Sequence, residues 1–204
     1  HLTCHMNGRP TWNDEILSFV PEIGAIPNMA VVGSANGHMD TGKCFESAQK
    51  EINSLLKTFG KSSKTRKIPK VESTKFEISP KWAVEGKGRA WLDYQNDVTV
   101  KDVRQSVQEN FKSVEHMKRY TTQGMAIDQG KNSNVASLAI LADATGRGIP
   151  ETGTTTFRPP FVPVSIASMG KNAQGIGFAP QRCTTSHVAS VDRGAPMVEA
   201  GLWY

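Results

Sequence analysis

The chain has 204 residues, enough for a sizeable core and one or two domains, and its 24 lysines and arginines against 19 aspartates and glutamates give a formal charge of +5. Much of that basicity is one acid-free run, Lys57, Lys61, Lys64, Arg66, Lys67 and Lys70, without the aromatic interleaving or reading motif of a nucleic-acid binder. No apolar run approaches the roughly 18 residues of a membrane span, no signal peptide stands at the start, and Cys4, Cys44 and Cys183 are too scattered for a disulfide framework or a thiolate metal site, so a reducing cytoplasm is expected.

Residues 1–28 hold Pro10, Pro21 and Pro27 with a short apolar set, Ile16, Leu17, Phe19 and Val20, which predicts turns and one brief helical piece. His1 and His5 are spaced i, i+4, but no acid or cysteine nearby completes a metal set. From Met29 the pattern changes. Met29-Ala-Val-Val32 has the form of a buried strand, Gly33-Ser-Ala-Asn-Gly37 that of a turn, and a helix is expected from about 38 to 59, with Ile52, Leu55, Leu56 and Phe59 buried and Gly60 closing it.

Strand, glycine turn and helix form a nucleotide-binding arrangement, in which Gly33 and Gly37 allow close backbone approach to a ligand. Gly37-His-Met-Asp-Thr-Gly-Lys-Cys44 stands one residue from a P-loop. The departure is Cys44, a soft thiol where a P-loop uses Ser or Thr to hold a hard cation. A dinucleotide contact at the turn is therefore preferred, although the full GxGxxG fingerprint is absent.

Residues 61–88, lysine-rich and broken by Pro69 and Pro80, read as a connector. A new unit over 89–148 follows: a strand at 90–94, a turn at Asn96 and Asp97, Thr99 and Asp102 capping a helix toward Phe111, a second helix from Ser113 toward Tyr120, and a third from about Ser133 to Thr145 closed by Gly146. Val135, Leu138, Ala139, Leu141 and Ala142 give the third helix its buried side. Between the last two helices lies a polar loop around Gly124 and Gly130. There Lys118, Arg119, Thr121, Thr122 and Lys131 could offer donors to a phosphate, the alternative being a solvated connection. Residues 149–204 form an extended, proline-rich bridge into a β-containing unit, with a flexible turn at 170–177.

Three stretches carry a resemblance: Asp93-Tyr-Gln-Asn-Asp-Val-Thr99, then Ser113-Val-Glu-His-Met-Lys-Arg-Tyr-Thr-Thr-Gln-Gly-Met-Ala-Ile-Asp-Gln-Gly-Lys-Asn-Ser-Asn134, then Gly153-Thr-Thr-Thr-Phe-Arg-Pro-Pro160. His1-Leu-Thr-Cys-His5, the 32–37 turn and Gly194-Ala-Pro-Met-Val-Glu-Ala-Gly-Leu-Trp203 continue it in the same order. Together they resemble the alpha-subunit family of heterotetrameric sarcosine oxidase.

The resemblance implies an α/β and α+β multidomain fragment. Residues 1–60 would end a pyridine-nucleotide-binding domain, 89–148 would form a small helical ferredoxin-related module, and 149–204 would begin an aminomethyltransferase-like folate-binding domain. No cysteine lies between Cys44 and Cys183, so no iron–sulfur cluster is expected in the module.

The implied reaction is oxidative demethylation of sarcosine to glycine with hydrogen peroxide, the one-carbon unit passing to tetrahydrofolate. The implied partners are beta, gamma and delta subunits. Ser34, Ala35, Gly37, Met39 and Thr41 would touch NAD, and Thr121, Thr122, Gln129 and Lys131 would neighbour the phosphate of an FMN shared with the beta subunit. The amine oxidation itself would run on a flavin held mainly by the beta subunit, and the folate site would lie beyond Tyr204. The start at His1 and the stop at Tyr204 lead us to expect a segment of a longer polypeptide. A non-catalytic docking module and an oxidase of another amine are the competing readings.

Overall fold

The structure, a computed structural model, describes residues 2–62, 64–73, 75–158, 162, 164–170, 175 and 181–203. The chain divides into two compact units, His1–Val162 and Pro163–Tyr204.

The core of the first unit is helical. Helix α2 (Val100–Gln108) starts at a full capping box, in which the Thr99 hydroxyl faces the Asp102 N–H and the Asp102 carboxylate accepts the Thr99 N–H at 2.8 Å. Helix α3 (Val114–Thr121) is capped by Ser113, and α4 (Asn134–Thr145) ends on Gly146 in the left-handed region. A short hairpin, β3 (Trp91–Asp93) and β4 (Val98–Thr99), leads directly into α2. Leu92, Val98, Val103, Val114, Met117, Leu138 and Leu141 interlock these elements, and each such side chain, fully buried, stabilises by about 1.5–3 kcal/mol. Expected with one buried side, α4 is instead enclosed nearly all round, since Asn134, Ser137 and Ile140 are buried as well. An apolar helix of that kind belongs at the centre of a core.

Around this module the expectations need three corrections. Residues 11–20 form a hairpin, β1 (Thr11–Asn13) with β2 (Ser18–Val20), in place of the brief helical piece. Trp12 packs edge-on against Phe19 across it, ring centroids 5.1 Å apart. Residues 29–32 form no strand and enter no ladder among the described residues. They are irregular and lead into a 3-10 turn, Gly33–Asn36.

The third correction concerns α1 (Thr41–Thr58), which begins at its Asp40 cap, three residues later than expected, and ends at Phe59 with Gly60 beyond it at φ +65°. None of its residues is buried: Ile52, Leu55 and Phe59 are 55%, 41% and 73% exposed. Lys43, Glu46, Ser47, Lys50 and Glu51 instead line a cavity with residues 22–32. The helix thus leaves most of its apolar stripe exposed.

The connector, expected only as a spacer, runs back along α1. The Gln49 side-chain amide donates to the Arg66 carbonyl, Val71 sits over Gly42, and the Ser73 hydroxyl donates to Asp40 Oδ2 at 2.9 Å. After α4, a single turn, α5 (Ile149–Thr152), precedes an extended stretch to residue 158.

The second unit holds α6 (Ile166–Gly170) and α7 (His187–Asp192), with bridges joining Trp203 to Arg182 and to Ala200. The flexible turn expected at 170–177 lies largely outside the described residues, as do Pro159, Pro160, Phe161 and Pro163 of the proline-rich bridge. Among the described residues no helix is long and apolar enough to cross a membrane.

Candidate functional site: a cleft beside the glycine loop

The polar loop after α3 is built around a buried carboxylate. Asp93, only 3% exposed, lies at the end of β3. Its Oδ1 accepts the Gln95 N–H at 2.9 Å within its own turn, and its Oδ2 accepts the Gly124 N–H at 2.8 Å from the far side of α3. The Asn96 amide adds a bond to the Thr122 carbonyl at 3.0 Å. The hairpin turn and the loop are therefore one hydrogen-bonded body, which makes Asp93 the residue that the sequence reading missed. Its signal was the Asp-Tyr-Gln-Asn turn itself, a setting in which Asp side chains bond the backbone two residues on.

The two glycines serve the loop's own closure. A Cβ added to Gly130 would stand 3.0 Å from Gly124 Cα and 3.3 Å from Asn134 Cβ. The close backbone approach that these glycines permit is thus made within the loop itself. Backbone of positive φ recurs through it, at Thr122 (62°), Gly124 (66°), Gln129 (50°) and Gly130 (73°). For a β-branched residue such as Thr122 that region is strained, a feature that gathers at functional sites.

Beneath the loop lie two carboxamides. Gln123 is fully buried and donates to Ser133 Oγ at 3.0 Å, and Asn134 donates to the hydroxyls of Thr154 and Thr155 at 3.2 and 3.1 Å. Gln123 Oε1 and Asn134 Oδ1 are buried acceptors without a donor among the described residues. An unmet buried acceptor costs about 1–3 kcal/mol, so each calls for an explanation.

The expected phosphate donors do not converge. Arg119 is held by Glu115, its Nη1 2.7 Å from Oε2, on the exposed side of α3 beside Lys118. The Thr121 hydroxyl donates to the Met117 carbonyl at 2.8 Å, and that of Thr122 to the Thr121 carbonyl at 2.6 Å. Gln129 both donates to the Arg158 carbonyl and accepts its N–H, at 2.7 and 3.2 Å. Lys131 alone of this set faces a cavity of about 690 Å3.

That cavity brings together residues which the sequence had assigned to separate sites. Ala35, from the first glycine turn, lines it with Ser18 and Phe19 of β2, residues 29–32, and Gly130, Lys131 and Asn134 of the loop. Its walls are mainly apolar and small, with one cation and one unmet acceptor residue at the loop side. The other expected dinucleotide contacts lie elsewhere. A Cβ on Gly37 would meet Ile16 and Val20 at 3.2 Å, so this glycine seats the turn on the β1–β2 hairpin. Gly33 lies against Cys44, Ser34 is in the same 3-10 turn, Met39 is partly exposed, and Thr41 opens α1.

At the start of α1 the Asp40 carboxylate accepts the Lys43 N–H at 3.0 Å. This bond, with the one from Ser73, holds the Asp40 carboxyl below its ordinary value against a small opposing effect of burial. The helix terminus that a P-loop offers to phosphate already faces an anion of its own. Among the described residues, no group of three or more His, Cys, Asp or Glu side chains is placed to hold a metal ion.

Comparison with known proteins places this geometry. Residues 87–173, the hairpin, the three core helices and the loop, match the sarcosine oxidase A3 domain family. Over its full length the chain is 38% identical across 207 residues to the sarcosine oxidase subunit alpha of Rhizobium meliloti (strain 1021), covering 21% of it. It is 32% identical across 213 residues to that of Corynebacterium sp. (strain P-1), covering 22%. The chain is a homologue of sarcosine oxidase alpha subunits from end to end, and it spans about a fifth of their length. The crystal structure of L-proline dehydrogenase from P. horikoshii shares the fold, with a TM-score of 0.60 at 17% identity, over 78% of this chain and 34% of that one.

Proposed function

We propose that the chain is part of the alpha subunit of a multisubunit flavoenzyme for the oxidative demethylation of sarcosine, and that it forms one wall of a nucleotide-cofactor cleft. The observation that carries the reading is the 690 Å3 cavity with Lys131 at its loop side, within a chain homologous throughout to sarcosine oxidase alpha subunits. The donor set fits a ligand with an anionic end and a flat, largely apolar body. Lys131 supplies a charge-assisted donor, and Gly130 and Ala35 leave room for close approach.

FMN meets that description, and NAD meets it at the phosphate end; a flavin held there would supply an acceptor for electrons. The chain's own contribution is to orient the group and exclude water. Phe19 and residues 29–32 cover the body, Lys131 fixes the anion, and Asp93 holds the loop that presents Lys131. Tetrahydrofolate transfer and the beta, gamma and delta partners follow from the family reading. The start of an aminomethyltransferase-like domain at 149–204 belongs with them.

The test is Lys131→Ala with Asn134→Ala in a full alpha subunit assembled with its partners. Loss of one charge-assisted contact costs about 1.5–3 kcal/mol, so flavin content of the purified assembly should fall by an order of magnitude or more under dilution. Unchanged flavin retention would remove the cleft from the cofactor's environment.

A further inference from the structure

Residues 154–158 run extended along the helical module, and side chains from three elements hold them there. Asn134, at the start of α4, donates to the hydroxyls of Thr154 and Thr155 at 3.2 and 3.1 Å. Glu115, in α3, accepts the Thr156 N–H at 2.8 Å while its other oxygen takes Arg119. Gln129, in the glycine loop, donates to the Arg158 carbonyl at 2.7 Å and accepts the Arg158 N–H at 3.2 Å. In an extended chain the N–H and carbonyl of one residue point the same way, so a single carboxamide can meet both, as a residue of a neighbouring strand would. The side chain expected beside a phosphate is bound to backbone at both of its polar ends.

Phe157 lies between the last two clamped residues. Burial alternates along the stretch as it does in a strand: Thr155 is buried, Thr156 exposed, Phe157 half-buried and Arg158 exposed. Thr155 and Phe157 therefore share the inward face, and Phe157 borders the cavity of about 690 Å3 that Lys131 and Phe19 also line. An aromatic side chain is thus presented to the cleft by backbone fixed on either side of it.

We infer that Phe157 packs against the flat body of the ligand in the cleft, and that Gln129 and Glu115 are positioning residues that hold the backbone on which it stands. The inference rests on the reading of the cavity as a cofactor cleft and names what selects the ligand there. An aromatic ring meets a planar heteroaromatic group by offset stacking or by edge contact, and so rewards flatness. Lys131 selects for negative charge and Phe157 for planarity.

The test uses the full alpha subunit assembled with its partners and its flavin. Phe157→Ala should shift the visible absorption and circular dichroism of the flavin, because water replaces the ring beside it. Gln129→Ala should give the same shift with Phe157 intact. It should also speed hydrogen exchange at the Arg158 amide about tenfold, while the Gly124 amide, held by Asp93, keeps its rate. Gln129→Glu separates positioning from packing. Protonated, its carboxyl donates to the Arg158 carbonyl and accepts the N–H as the carboxamide does; ionised, it sets an anion against that carbonyl. A facing carbonyl raises the carboxyl's pKa above its ordinary value of about 4.3, so the spectrum of this variant should approach that of wild type as pH falls from about 8 to about 5. A flavin spectrum that Lys131→Ala alters and Phe157→Ala leaves unchanged would overturn this inference alone. One indifferent to both would remove the cleft reading and this inference with it. Unchanged exchange at Arg158 in Gln129→Ala, or a Gln129→Glu spectrum at constant distance from wild type across that pH range, would overturn the positioning role.

Discussion

Gly124 and Gly130 approach so closely that a Cβ on Gly130 would stand 3.0 Å from the Gly124 Cα, and one on Gly124 3.3 Å from the Gly130 Cα, so the facing backbone would have to give by a few tenths of an ångström. Gly130 also has φ +73°. Gly130→Ala therefore combines left-handed strain with a tight backbone contact, and should destabilise the full alpha subunit by about 1–3 kcal/mol. Thermal unfolding reads the effect; an unshifted midpoint would mean the loop opens without cost.

Asp93 should be as important to the loop from the opposite side. Asp93→Asn keeps one acceptor oxygen but replaces the other with an NH2 that faces the Gly124 N–H or the Gln95 N–H. A buried donor left without its acceptor costs about 1–3 kcal/mol. Hydrogen exchange at Gly124 should accelerate in this variant while that of α4 does not, which separates loop release from global unfolding.

Thr122 offers a prediction of opposite sign. Its φ of 62° is costly for a β-branched residue and free for glycine. Thr122→Gly should raise stability by up to about 1 kcal/mol, net of the added freedom of the unfolded chain. If the strain is part of cofactor binding, the same variant loses flavin as it gains melting temperature, and the pair of measurements decides between structural tolerance and function.

Glu115 makes stability depend on pH. Burial alone would raise its pKa, but the Thr156 N–H at 2.8 Å and the Arg119 guanidinium at 2.7 Å outweigh it and hold the carboxyl below its ordinary value of 4.5. A lowered folded-state pKa stabilises the fold fully above the unfolded value, and that contribution is lost as pH falls through the folded value. Wild type and Glu115→Gln should thus differ in melting temperature at neutral pH and converge once the pH lies below the lowered folded-state value. A constant gap down to that pH would assign the difference to packing.

Local signals in the sequence marked the helical module well. Thr99 with Asp102, Ser113, Gly146 and Gly60 are chemistry at element ends, fixed by neighbours within a few residues, and the structure places each at or beside a helix end. The misreadings concern partners. Residues 29–32 have the composition of a strand, but a strand is a relation between two segments and composition reports only one. The amphipathicity of α1 was equally legible, yet which side faces inward depends on what packs there. The β1–β2 strands, at three residues each, are too short to show alternation. Of the site, the glycine loop and Ala35 were visible; that they share a cavity with β2 is a product of tertiary packing.

Few strands hold the first unit together, and carboxamide side chains perform the cross-linking that a sheet would provide. Gln49 reaches Arg66, Asn96 reaches Thr122, Gln123 reaches Ser133, Gln129 reaches Arg158, and Asn134 reaches Thr154 and Thr155. These ties bear no charge, so acid or salt leaves them intact. Their weakness is chemical ageing. Hydrolysis of the Asn134 amide would remove the NH2 that both threonines accept and leave an anion in a site 5% exposed, beside the lining of the cleft.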